Sequence, residues 1–340
     1  MGATLALVAL ALAAAGGLAW ARAELDRPST LAAARTLSIE PGRSARSILD
    51  ELERAGVIRS ALLARLYLVR VLGDPPLRSG EYRFEAGDST RDVLDRLRRG
   101  DVVTWPVTVV EGLTYRETAD ALAAAGFGAR ESFLAEFERG ARIADLDPAA
   151  GNLEGYLFPD TYRFPRGATA AAITEALVRN FRERFESEAR PLLPAAGGRS
   201  VRELVILASL VEKEARLDAE RPLVASVYSN RLARGIGLYA DPTIIYGLKL
   251  EGRWDGDLRR RDLEADSPWN TYRVRGLPPG PICSPGAASL AAAARPADSR
   301  YLYFVSRNDG SHVFSETLAE HNRNVDRWQR RFFRERRAGR

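Results

Sequence analysis

One cysteine, one methionine, two histidines and two lysines are the scarcities of this 340-residue chain. Cys283 stands alone, which excludes a disulfide, a zinc cluster or a redox pair built within one chain. So little cysteine is compatible with an oxidising compartment without proving one. With only Lys213 and Lys249, arginine carries nearly all of the positive charge, a bias of genome composition rather than the mark of a ligand. The net charge of +5 is small against 50 basic and 45 acidic residues. These charges are interspersed, as on a solvated mixed surface, so nucleic acid is not an expected partner. No metal site or cofactor is expected either. What the chain does have is 46% hydrophobic residues, enough for a substantial core in one large domain or two to three ordinary ones.

Its longest uncharged run is at the start. Ala3 to Ala21 is nearly all Ala, Leu, Val and Gly, and as a helix it is about long enough to cross a ~30 Å hydrocarbon layer. Two readings compete. Ala19-Trp20-Ala21 and Ala21-Arg22-Ala23 have the small-x-small form of a signal-peptidase site. The length of the run and the lack of a basic segment before it favour an uncleaved single-span anchor, residues 1–22. Only Met1 and Gly2 precede the run, so flanking charge does not orient it. No second span follows, which places the remainder on one side of a membrane. Residues 23–35 are polar, alanine-rich and contain Pro28 and Ser29, the composition of a flexible linker.

A self-similar region comes next. Glu40-Pro-Gly-Arg-Ser leads into ILDELERAGVI (Ile48 to Ile58), and Glu85-Ala-Gly-Asp-Ser-Thr leads into VLDRLRRGDVV (Val93 to Val103). A weaker copy runs from Glu111-Gly112-Leu113-Thr114 to Phe127. Each predicts a strand, a glycine turn, a Ser or Thr N-cap and an amphipathic helix stopped by glycine. Such units serve equally as small binding modules or as plain α/β packing. Trp105-Pro106 marks a boundary, with a strand over Val107 to Val110 beyond it. Asn152 to Arg163 is aromatic and turn-rich and reads as a loop, and Ala168 to Glu188 as a long amphipathic helix. Pro191 to Gly198 reads as a linker, and Pro268 to Gly286 as a long loop. Tyr301 to Val305 reads as a buried strand and Leu318 to Arg336 as a closing basic amphipathic helix.

The chemistry concentrates in LVILASLVEKEARL, Leu204 to Leu217, within a helix expected from about Val201 to Leu217 and followed by one that Pro222 opens and Gly235 ends. On a helical wheel Leu204, Leu207, Ala208, Val211 and Ala215 share an arc, and Glu214 falls at its edge. Glu212 points roughly 160° away, since residues two apart do not share a face. The pattern therefore predicts Glu212 toward solvent and Glu214 against apolar groups, where a raised pKa suits a carboxyl to donate a proton near neutrality. Polar and aromatic residues follow: Tyr228, Asn230 and Arg231; Tyr239, Asp241, Thr243 and Tyr246; Asn270, Thr271 and Tyr272. Such a mixture suits sugar rings, with their apolar faces and hydroxyl edges.

Several ordered motifs give the chain a likeness to a known family. They are VEG at Val110, EGYLFPDTY at Glu154, ASLVEKEA at Ala208, VASVYSNRL at Val224, DPTIIYG at Asp241 and NTY at Asn270. GLPPGPICSPG at Gly276, YLYFV at Tyr301 and HVFSETLAEHN at His312 complete the set. Over nearly its whole length the chain resembles the endolytic murein transglycosylases, the YceG-like proteins. That resemblance implies an α+β protein with an N-terminal transmembrane helix, a LysM-like glycan-binding subdomain over 36–104 and a larger catalytic domain over 105–340. It implies a single-pass inner-membrane protein whose periplasmic domain cuts nascent peptidoglycan strands internally and ends their elongation, with membrane peptidoglycan synthases as plausible partners. The catalytic glutamate of the matching motif is the second one, here Glu214. Tyr228, Asn230, Asp241, Thr243, Tyr246, Asn270, Tyr272 and Glu154 are the expected substrate-binding residues.

Most glycosidases need two carboxylates. A lytic transglycosylase needs one, because the sugar's own C6 hydroxyl is the nucleophile. The oxocarbenium-like intermediate would be stabilised by one of Asp241, Tyr228, Asn230, Thr243 or Tyr272, which the sequence does not rank. Three rivals stand beside this reading. One is a wall-binding protein without activity, in which an arginine such as Arg216, Arg221 or Arg231 neutralises Glu214. A second is a cysteine enzyme using Cys283 with His312 or His321. The third is a hydrolase in which Asp241 or Glu154 activates water.

Overall fold

A computed structural model of the chain describes residues 2–196, 198–331 and 334. The elements in order are α1 (Gly2–Asp26), β1 (Arg35–Ile39), α2 (Ala45–Arg54), α3 (Ala61–Arg70), β2 (Gly80–Phe84), α4 (Thr90–Arg99), β3 (Trp105–Val109), α5 (Tyr115–Ala124) and α6 (Arg130–Phe137). They continue as β4 (Asp160–Phe164), α7 (Ala170–Arg184), α8 (Val201–Glu214), α9 (Arg221–Ala233), α10 (Asp241–Leu250), α11 (Arg260–Leu263), α12 (Ala287–Ala294), β5 (Tyr303–Ser306), β6 (His312–Ser315) and α13 (Leu318–Val325). This is a mixed α+β protein. Its strands form three separate two-stranded sheets, β1–β2, β3–β4 and β5–β6. The chain divides into two compact units: everything up to Trp105 with Arg163–Gly167, and Pro106–Tyr162 with everything from Ala168 on.

In the smaller unit, β1 and β2 pair antiparallel with Leu37 opposite Tyr82. Tyr82 and Phe84 point inward while Arg83 between them is exposed, the alternation of a strand with one buried face. Ile48, Leu49 and Leu52 of α2 and Val93, Leu94 and Leu97 of α4 close over that face. The caps are those the sequence spells. Ser44 accepts from the Ser47 amide, Ser89 forms a reciprocal box with Asp92, and Gly100 ends α4 at φ 76°. The third copy follows the same order in the larger unit, with Thr114 and Glu117 boxing the start of α5. Between the first two copies lies α3, which the repeat did not predict.

The residues expected to be a loose linker are not loose. The first helix continues through them to Asp26, Leu25 is buried, Glu24 pairs with Arg59 at 2.6 Å, and the Ser29 amide donates to the Asp88 carbonyl at 2.8 Å. Composition indicated a polar stretch, and the buried contacts that order it lie far along the chain. Over residues 4–26 α1 is long and apolar enough to cross a membrane.

In the larger unit α8 is the central element. Leu204 to Val211 are buried without a break, because α9, α10 and α12 pack around it. A helix apolar on every side belongs in a core rather than at a surface. Other boundaries shift. Asn152 to Arg163, read as a loop, holds the start of β4, since Thr108 of β3 bonds the Thr161 hydroxyl at 2.9 Å. The long helix ends at Arg184 and runs on as a wider turn over Phe185–Ala189, and residues 190–196 form a tight helical turn instead of a linker. The expected buried strand Tyr301 to Val305 is the half-buried β5. The closing helix is α13 followed by a turn to Arg331, and the predicted remainder at 332, 333, 335 and 336 lies outside the described residues.

Candidate active site

Glu214 is the last residue of α8, and Ala215 after it is already extended, at φ −85° and ψ 119°. The helix therefore stops three residues before the Leu217 the sequence suggested. Stopping there aims the Glu214 carboxyl into a cleft of about 510 Å³, lined among others by Arg231, Tyr239, Asp241, Tyr272 and His321. Desolvation pushes this carboxyl up to a pKa of about 7, with the Asp241 charge acting the same way; the Tyr228 hydroxyl, which donates to Oε1 at 3.1 Å, and the nearby Arg231 oppose it. The carbonyl end of a helix is also a poor place for negative charge. At neutral pH the group divides between acid and carboxylate, the condition a proton shuttle needs.

Glu212 does not face solvent as the helical wheel predicted. Its side chain is only 7% exposed, lies 3.2 Å from the Arg221 guanidinium and accepts from the Gly286 amide at 3.0 Å. The last turn of α8 still exposes Lys213, but the side carrying Glu212 is covered, and its buried carboxylate persists because a cation and an N–H meet it. Arg221 also reaches Asp218 at 3.0 Å and the Ser289 hydroxyl. The wall-binding rival needs an arginine that neutralises Glu214. Arg221 is committed to Glu212, and Arg231 donates to the carbonyls of Leu302 and Leu238, each at 2.6 Å. Among the described residues no ion pair reaches Glu214.

The expected binding residues divide into three groups. Tyr228, Asp241 and Tyr272 join Glu214: the Tyr272 hydroxyl donates to Asp241 Oδ1 at 2.6 Å, and its ring meets Tyr239 edge-on at 5.3 Å. Thr243, Asn270 and Asn230 are struts. Thr243 donates to the Ala240 carbonyl and meets Thr271 at 3.0 Å, joining the start of α10 to the 270–272 turn. Asn270 accepts the Tyr272 amide at 3.1 Å and so orients that tyrosine. Asn230 donates to the carbonyls of Ser299 and Tyr301, away from the cleft. Glu154 and Tyr246 line a different cavity of about 210 Å³, with Arg202, Trp269 and Gly280. Glu154 is buried, its carboxyl raised to about 8 by desolvation, and Oε1 accepts the Tyr115 amide at 3.0 Å. The two acids of the hydrolase rival Glu214–Glu154 thus sit in separate cavities.

The cysteine rival fails on position. Cys283 is fully buried, its thiol contacts the Ser209 carbonyl at 3.4 Å, and burial pushes its pKa up, the opposite of an activated nucleophile. His312 is tied to Glu220 at 2.7 Å. The Nδ1 of His321 has no hydrogen-bond partner among the described residues, its ring stacks on Tyr303 at 5.0 Å, and it lines the Glu214 cleft beside Asn322. The HVFSETLAEHN motif held that signal, but nothing in the spacing told which side α13 would present.

Comparisons with known proteins agree in kind. The model of the YceG-like family matches residues 37–327. A protein of Bacillus subtilis (strain 168) named endolytic murein transglycosylase is 32% identical over 311 residues, which covers 86% of this chain and 84% of that one. A protein of the same name from Streptococcus pneumoniae serotype 2 (strain D39 / NCTC 7466) is 28% identical, over 94% of this chain and 63% of its own length. The crystal structure of a YceG-like protein from Listeria monocytogenes superposes with a TM-score of 0.57 at 32% identity, covering 85% of this chain and 98% of that one. The chain belongs to the YceG-like family.

Proposed function

We propose that this chain is a lytic transglycosylase that cuts the MurNAc–GlcNAc bond of peptidoglycan strands, with Glu214 as its single acid–base group. The observation that carries the reading is a desolvated carboxyl, poised at about 7, at the edge of a cleft lined by aromatic and polar side chains. The names of the relatives support the same class of reaction. In the first step protonated Glu214 gives its proton to the glycosidic oxygen as the C1–O bond breaks. Positive charge then develops at C1 and the ring oxygen, where the adjacent Asp241 carboxylate stabilises it. Glu214, now a carboxylate, takes the C6 hydroxyl proton as that oxygen closes on C1, leaving a 1,6-anhydro end. No water is consumed, so no second acid–base carboxylate is required. Holding nucleophile and electrophile in one ring removes the entropic cost of a bimolecular step. Tyr228 fixes the Glu214 rotamer and Tyr272 fixes Asp241.

Around this core the reading has further parts. The span α1 anchors the protein in the inner membrane, with both units on the periplasmic side beside the synthases that make new glycan. The β1–α2–α3–β2 order with antiparallel strands supports a LysM-like module that grips glycan. Cutting inside nascent strands would end their elongation. The decisive experiment is mass spectrometry of purified glycan after digestion. Anhydro ends are expected from the native chain, and Glu214→Gln should lose about 10²–10⁴-fold in rate. A product heavier by one water would establish a hydrolase, and no cleavage by a folded native chain would leave a binding protein.

A further inference from the structure

The helix α3 is apolar on two faces. Ala61, Ala64 and Leu68 face the core of the small unit. Leu62, Leu66 and Val69 recur at i, i+4 and i+7 on another face, and Leu62 and Leu66 are 70% and 49% exposed. Val71, at 65% exposed, follows the last turn on a different side. A row of exposed apolar side chains on one helix face is a candidate contact surface.

Its position names the partner. A groove of about 410 Å³ runs between α3 and α1, lined by Leu18, Ala21 and Leu25 on one side and Leu63, Leu66 and Val71 on the other, so that Leu66 belongs both to the groove and to the outward row. Leu18 lies inside the uncharged run that ends at Ala21, roughly 4–5 Å below its end at 1.5 Å per residue. Trp20 is exposed at the same level, where an interfacial aromatic belongs. Arg22 and Arg70 rim the groove, with stems long enough to cover apolar surface while their heads reach phosphate, and Arg91 beside them is held by Asp26 and Tyr67. We propose that the outward face of α3 rests in the lipid headgroup layer beside α1, as an in-plane amphipathic contact. The proposal depends on α1 being a membrane anchor.

Cys283 is fully buried, so a cysteine introduced elsewhere accepts a fluorophore selectively. Full-length Leu62→Cys, Leu66→Cys and, on the exposed side of α2, Glu53→Cys would each be labelled and reconstituted into phosphatidylcholine–phosphatidylglycerol vesicles containing brominated lipid. Flotation reads the anchor; loss of emission reads contact with acyl chains. The labels at 62 and 66 should be quenched and that at 53 should not, with unchanged melting of each variant confirming its fold. A chain that floats with 62 and 66 unquenched overturns the proposal and leaves the anchor standing. A chain that does not float removes the anchor, and the proposal with it.

Discussion

Two carboxylates two residues apart illustrate what a side chain's surroundings decide. Glu214 and Glu212 share a helix end, yet one is aimed at a cleft and the other is closed over by Arg221 and the Gly286 amide. The wheel separated their directions correctly but assumed that one direction was water. Sequence shows the faces of a helix; it does not show how many neighbours surround it. Arg221 lies nine residues beyond Glu212, and its role becomes visible only once the chain has turned back along α8. Glu212→Ala should therefore destabilise the larger unit by about 1–3 kcal/mol, because the Gly286 amide and one side of the Arg221 guanidinium lose their acceptor while Asp218 and Ser289 still hold the other side. That corresponds to a fall in melting temperature of roughly 2–12 °C for a domain of this size. Thermal unfolding checks this. An unchanged melting temperature would contradict the pairing. The rate of native chain should also fall as pH rises through about 7, as Glu214 loses the proton it must donate, and this limb should be absent from the residual activity of Glu214→Gln.

The local signals held best at the scale of elements. Ser44, Ser89 and Thr114 each cap the helix they precede, and glycines follow α2, α4 and α5 in left-handed conformations. What local signals could not supply was pairing: the first two strands share a sheet while the third joins β4, a segment whose aromatics read as a loop. Gly155 shows why that segment looks irregular. It sits at φ 86°, and a Cβ there would fall 2.6 Å from Pro281 and 2.8 Å from Val205. The turn presses backbone against the 276–286 loop and α8 and holds Glu154 beneath it. Gly155→Ala should lower the melting temperature markedly, since left-handed backbone with a Cβ costs about 1–2 kcal/mol before any clash. Gly167→Ala, with open space around it, should change stability by no more than about 0.5 kcal/mol. Equal effects of the two substitutions would refute the argument.

For the whole molecule, the two raised carboxyls set a pH dependence. Glu214 and Glu154 keep their protons in the folded chain to about 7 and about 8, whereas a carboxyl in the unfolded chain ionises near 4.5. The folded state binds more protons between these values, so this contribution to stability is complete below about 4.5 and is lost as pH rises through 7 and 8. Glu154→Gln should flatten the alkaline part of the melting-temperature profile and raise stability at pH 8–9. A profile parallel to that of native chain would show that Glu154 is not held neutral. The α+β class, the apolar first helix and the cluster around Glu214 were all readable beforehand. The separate cavity of Glu154 was not, since it exists only where four distant segments converge.

The first helix has one more implication. It passes without a break from its apolar run to Asp26, and Leu25 is seated in the small unit. If that run is held in lipid, the module hangs on a stiff peg with no slack. Under the proposed function it would then grasp only polymer lying against the bilayer, and wall farther out would stay beyond its reach.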